Sequence, residues 1–183
     1  MASLKNVAKR FEVQLSVIEG GSGLLSGMIT EPSQLLLQDN VFINPRRVLR
    51  TDINMPVKAG MVLRTPAGLN YIVGANAPTE RPGGPTANHW WLFAADQQVS
   101  WKTRLKTFDL VTHLERDQGY SNPVMIWAAY EPLDRQVLDR HMSTNFPQAR
   151  LITGQNVQPD DIIDDRKVTL ISAALGINII TLT

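Results

Sequence analysis

Three histidines, His89, His113 and His141, are the only imidazoles of the chain, and imidazole titrates near neutrality and ligates zinc readily. They form no H-E-x-x-H pattern and no pair at helical spacing, so a metal site would need ligands from distant parts of the chain. The spacing predicts His113 on a strand face and His141 on a polar helix surface. Asp160, Asp161, Asp164 and Asp165 form the densest acidic cluster, and neighbouring carboxylates are what a hard cation such as calcium requires. The EF-hand order is missing, however, and Pro159 before the cluster fits a solvated turn leading into a strand from Val168. Gly20-Gly21-Ser22-Gly23 is rich in glycine but has neither the G-x-S-x-G elbow nor the lysine of a phosphate-binding loop. Cysteine is absent, which removes thiol catalysis, disulfide frameworks and Cys-based zinc sites together. These patterns predict a chain that is not an enzyme, with no catalytic, cofactor-binding or metal-ligating residue.

Charge and aromatic rings carry more. Arg46, Arg47 and Arg50 cluster behind Pro45, and Lys102, Arg104 and Lys106 alternate along a strand or loop arm. Each set could place cations on one face, which suits a solvated surface or a contact with a partner protein or passing nucleic acid. The planar arginine fork binds in bidentate fashion, so Arg46 and Arg47 are the stronger candidates. Trp90 and Trp91 within one strand point to opposite faces, one into the core and one toward solvent or a partner, where tryptophan is a common anchor. Trp127 and Tyr130 also face opposite ways. Arg46, Arg47, Arg50, Trp90 and Trp91 are therefore the candidate partner interface. Residues 1–110 carry a net +4 and residues 111–183 a net −3, within a total of +1. Such polarity suits the packing of identical subunits, basic surface to acidic. The near-zero total gives no strong pull toward nucleic acid or membrane.

The elements that hold these residues are read from periodicity. With 183 residues, 43% of them hydrophobic, the chain can bury a sizeable core. Residues 1–20 fit a helix, because Leu4, Val7, Ala8, Phe11, Leu15 and Ile18 recur at spacings of three or four behind a Ser3 cap. The rival is a strand, in which Phe11, Val13, Leu15 and Val17 alternate with polar residues. Gly20 to Gly27 then reads as a linker or mobile loop. Met61 to Thr65, a turn at Pro66-Ala67-Gly68, and Tyr71 to Val73 predict a β-hairpin. Further strands are expected at Trp90–Phe93, Thr107–His113, Val124–Tyr130, Gln148–Thr153, Val168–Ala173 and Ile177–Leu182. Residues 76–88, with three prolines and two glycines, predict an extended loop. Leu133 to Met142 reads as a short helical turn, and no internal repeat is evident. The expected fold is mainly β, a barrel or sandwich of short antiparallel strands, with an N-terminal helix and long Pro/Gly loops. The expected organisation is a helical segment over 1–20 and a single β-rich domain over 33–183. No apolar run reaches the roughly 20 residues that a membrane helix needs, and no signal-peptide pattern opens the chain, so the expectation is a soluble protein used inside a cell, without membrane partners.

The hairpin and later strands resemble a family. Val57-Lys58-Ala59-Gly60-Met61-Val62-Leu63-Arg64-Thr65, with Gly68 and Tyr71-Ile72-Val73-Gly74, is similar to the strand-turn-strand of tailed-bacteriophage neck proteins, the head-closure, stopper or adaptor components between portal and tail. Asn122 to Pro132 and Asp160 to Leu182 resemble the same style. The resemblance implies a structural virion subunit of the neck, assembled in the host cytoplasm into a homo-oligomeric ring. That ring would bind the portal protein and tail proteins, and its lumen would pass DNA without sequence-specific binding. It implies no cofactor. Rival readings are a capsid decoration or baseplate protein, and a carbohydrate-binding module whose Trp90, Trp91, Trp101 and Trp127 stack on sugar rings.

Overall fold

A computed structural model describes residues 11–31, 47–76, 87–110, 113–131, 149–174 and 176–183. The described residues form fourteen strands and no helix. By internal contacts the chain divides into two compact units, Met1–Asp96 with Leu175–Ile177 and Gln97–Ala174 with Asn178–Thr183. The sequence had suggested one β-rich domain over 33–183. The division follows from the hydrogen-bonded ladders, which close into two separate barrels.

In the first unit, β1 (Val13–Glu19), β2 (Leu24–Thr30), β3 (Arg47–Thr51), β4 (Val62–Arg64), β5 (Asn70–Asn76) and β6 (Asn88–Ala94) close an antiparallel barrel in the order β1-β2-β3-β6-β5-β4. β4 returns to β1 through Ser16 opposite Arg64 and Val17 opposite Leu63. Side chains two apart share a face of a strand, and here they fill the barrel: Leu15, Leu25, Leu49, Leu63, Tyr71, Val73 and Leu92 form one cluster, with Val13, Val17, Ile29 and Trp90 packed against it. Burying each such apolar side chain contributes about 1.5–3 kcal/mol. Gly27 lies between Leu25 and Ile29 on this inward face; a Cβ there would stand 2.7 Å from Leu49 Cδ1 and 2.8 Å from the Arg50 carbonyl oxygen. The missing side chain lets β3 approach that closely.

In the second unit, β7 (Gln97–Lys102), β10 (Val124–Glu131), β11 (Ala149–Thr153), β12 (Ile162–Ile163), β13 (Arg166–Ala174) and β14 (Ile177–Leu182) close another antiparallel barrel in the order β10-β11-β14-β13-β12-β7. Its interior holds Val99, Ile126, Ala128, Leu151, Val157, Ile163, Val168, Ile180 and Leu182. β8 (Arg104–Asp109) and β9 (Leu114–Tyr120) form a separate two-stranded hairpin inserted between β7 and β10. Counting each barrel's own strands from its N-terminal end, both have the ring order 1-2-3-6-5-4, with the fourth closing on the first.

The turn before the fourth strand is also shared. Val57 N–H bonds the Met55 carbonyl at 2.8 Å, and Val157 N–H the Gln155 carbonyl at 3.0 Å. Met61 N–H bonds the Lys58 carbonyl as Asp161 N–H bonds that of Gln158. Gly60 and Asp160 both hold positive φ, at 87° and 73°, the left-handed region that glycine enters freely and aspartate tolerates better than most. Even the side-chain acceptor is matched, since Lys58 N–H reaches Met61 Sδ at 3.4 Å and Gln158 N–H reaches Asp161 Oδ2 at 2.9 Å. The chain thus contains a structural repeat that its sequence does not announce.

Several expectations are corrected here. Residues 13–19 are a strand, not the C-terminal half of a helix: Val13, Leu15 and Val17 point into the barrel, and pairing with β2 and β4 outweighs the three-four spacing. The rest of that proposed helix, residues 1–10, lies outside the described residues. Gly20 to Gly27 is not a linker but a tight turn at Gly20–Gly23, with positive φ at both ends, followed by β2. The hairpin expected around Pro66 forms as β4–β5, with Val62 opposite Ile72. The loop at 77–86 and the helical turn at 133–142 lie outside the described residues.

Candidate functional site

The four clustered aspartates flank β12 and are held by donors from neighbouring elements. Asp161, fully buried, accepts bonds from Trp101 Nε1, the Arg104 N–H and the Gln158 N–H, each at 2.9 Å. Three donors are what a buried carboxylate needs to offset its desolvation. Asp160 receives Arg104 Nη1 at 2.7 Å and Lys167 Nζ at 2.7 Å, and these cations hold its carboxyl below the usual range, Lys167 most strongly. Asp164 accepts the Ser100 N–H at 2.8 Å and the Tyr130 hydroxyl at 3.3 Å. Burial, with the Asp164 charge beside it, pushes that phenol up. Asp164 and Asp165 occupy the two-residue β12–β13 turn with φ 47° and 62°, the primed hairpin geometry. The cluster therefore acts as a set of turns that fastens β12 to β7 and to the root of the β8–β9 hairpin.

Arg104 is the central residue of that root. Its Nε and Nη2 reach Asp117 Oδ2 at 3.1 and 2.7 Å across the hairpin, while Nη1 reaches Asp160. This raises the guanidinium and lowers the Asp117 carboxyl, the Arg104–Asp117 hydrogen bond being the largest cause of each. Lys102 pairs with Asp165 and Lys106 with Glu115. The alternating cations 102, 104 and 106 thus each meet a carboxylate, which leaves no open cationic row for phosphate.

Among the candidate interface residues, Arg46 lies outside the described residues. Arg47, at the end of β3, bonds Glu31 Oε1 at 2.7 Å, which with Tyr71 raises its pKa. Arg50 is exposed, on the face it shares with Met28 and His89, and has no ion pair among the described residues. Trp90 and Trp91 do point to opposite faces. Trp90 packs on the barrel cluster and donates to Thr51 Oγ1 at 3.2 Å, while Trp91 is only 8% exposed. Trp91 is thus buried and Trp90 half-buried. Trp101 and Trp127 are half-buried, and Trp101 donates its Nε1 hydrogen to Asp161. His89 lies on β6, and His113 sits in the β8–β9 turn at φ 53°, with its ring 6.3 Å from Phe108, not on a strand face. His141 lies outside the described residues. Among the described residues no group of three or more His, Asp or Glu is arranged to hold a metal ion, and no helix is long and apolar enough to cross a membrane.

The feature that sequence reading missed is the hairpin itself. Leu105, Phe108, Leu110, Leu114 and Tyr120 are 42–79% exposed, and every residue of β9 is exposed. β8 and β9 pair only with each other among the described residues. A two-stranded ribbon is marginal alone, and exposed apolar side chains beside open strand edges mark an interaction element. The sequence signal was faint because β9, Leu-Glu-Arg-Asp-Gln-Gly-Tyr, has charges where a strand is usually recognised by alternating apolar residues.

The chain matches no family model, no curated protein and no solved structure.

Proposed function

We propose that the protein is a structural subunit of a tailed-bacteriophage neck, a ring between portal and tail that joins head to tail and surrounds the DNA path. The observation that carries this reading is the β8–β9 arm, fixed at its root by Arg104, Asp160 and Asp161 and exposed with its apolar side chains along its length. An arm held in one direction before binding loses little conformational freedom on docking, which suits an assembly subunit. The resemblance of Val57–Gly74 to neck-protein hairpins supplies the particular assembly, and the internal pairing of Lys102, Arg104 and Lys106 suits a lumen that DNA must traverse without being gripped. The burial of Trp91 removes it from the carbohydrate-binding reading, because stacking on a sugar needs an open ring face.

Quantitative mass spectrometry of purified tailed particles tests the proposal by scoring copies of this chain against the portal and major capsid proteins. One ring's worth per particle is expected. Copies in proportion to the capsid protein would make it a decoration protein, and absence from particles would overturn a virion role.

A further inference from the structure

The charges of the inserted hairpin follow a pattern that its own fold uses only on one side. β8 carries Arg104, Lys106 and Asp109, and β9 carries Glu115, Arg116 and Asp117. Each cation meets an acid of the opposite strand: Arg104 with Asp117 at 2.7 Å, Lys106 with Glu115 at 3.2 Å, and Arg116 with Asp109 at 2.7 Å. The two strands are therefore complementary in antiparallel register, with Lys106 opposite Asp117 and Thr107 opposite Arg116. Each also has a second edge that pairs with no strand among the described residues.

We propose that these edges join one copy of the chain to the next: the outer edge of β9 pairs with the outer edge of β8 on a second copy, in the register seen within the hairpin. The occupant follows from the charges. The second copy's β8 offers the same ladder of opposite charges that β9 already accepts within its own chain. Pairing β9 with β9 about Arg116 would set Glu115 against Asp117 of the other copy, a like-charge clash. Pairing β9 with β8 is heterologous, and a heterologous contact repeated from copy to copy builds a ring when its rotation closes and a filament when it does not. The inference rests on the reading of the chain as a ring subunit and names the contact that would build the ring.

The absence of cysteine makes the test clean. Thr107→Cys and Arg116→Cys are made in separate full-length chains, mixed and mildly oxidised, so that any disulfide between positions 107 and 116 joins two chains. Directly opposite strand residues have Cβ atoms within disulfide reach. The expected result is a predominant 107–116 heterodimer, with 107–107 and 116–116 products minor. If Arg116→Cys fails to fold, Phe108→Cys and Glu115→Cys probe the next opposed pair. Random linkage, linkage of like positions only, or no linkage overturns the proposal. Mass photometry of the unmodified chain separates the two readings. Oligomers without 107–116 linkage leave the ring standing and remove the hairpin contact. Selective linkage in a chain missing from particles keeps the contact and removes the neck assignment.

Discussion

Asp161 does in the second barrel what Met61 does in the first, accepting the N–H that opens the turn, and it adds two further donors. Replacing Asp161 with Ala leaves Trp101 Nε1 and the Arg104 and Gln158 N–H groups without their acceptor, and each buried orphan costs about 1–3 kcal/mol. The expected outcome is a drop in denaturation midpoint of the second barrel with a changed Trp101 emission, read by urea titration. Asp160 and Asp117 give a pH dependence. Both carboxyls are held below their usual range, Asp160 chiefly by Lys167 and Asp117 chiefly by Arg104. Their folded-state pKa values lie below the unfolded ones, so the stability they add is present above about pH 4 and lost as pH falls through the lowered values. Thermal melting should fall steeply below that point, and Asp160→Asn should flatten the fall. An unchanged slope in that variant would show that Asp160 contributes nothing.

The hairpin shows how an element can be held at one end only. Arg104 links Asp117 of β9 to Asp160 of the β12 turn, so Arg104→Ala should speed hydrogen exchange in β8 and β9 while barrel amides keep their protection. Equal loss of protection in both would mean that the hairpin folds as part of the barrel. The same elements mark how far the sequence could be read. β5, β6, β10 and β14 were legible because β-branched and aromatic residues alternate there between Gly, Pro or Asn punctuation. β1 was misread because Leu15 satisfies both a three-four and a two-residue spacing, and only its pairing with β2 and β4 decides between them. The cluster at Asp160–Asp165 was legible as a turn, but not as the anchor of the hairpin, since its donors come from residues 56–64 positions away. The repeat was hidden because the two turns share hydrogen bonds, not side chains: glycine and methionine in one stand where two aspartates stand in the other.

Across the whole molecule, the cations that were grouped by sequence have separate fates. Arg47 is taken up by Glu31, an exposed pair of small energetic weight, whereas Arg50 has no ion pair among the described residues. Arg50→Glu is therefore expected to reduce incorporation into particles several-fold more than Arg47→Glu, with melting temperature nearly unchanged in both, as measured by copies per particle. Equal incorporation of both variants would remove the β3 arginines from the partner surface. The order of strands along the chain has a consequence during synthesis. All six strands of the first barrel have been made by Ala94, whereas the second barrel closes by pairing Trp101 with Ile163. The first barrel can thus close while the ribosome is still translating the second, which must wait for nearly the full chain before β12 emerges to meet β7.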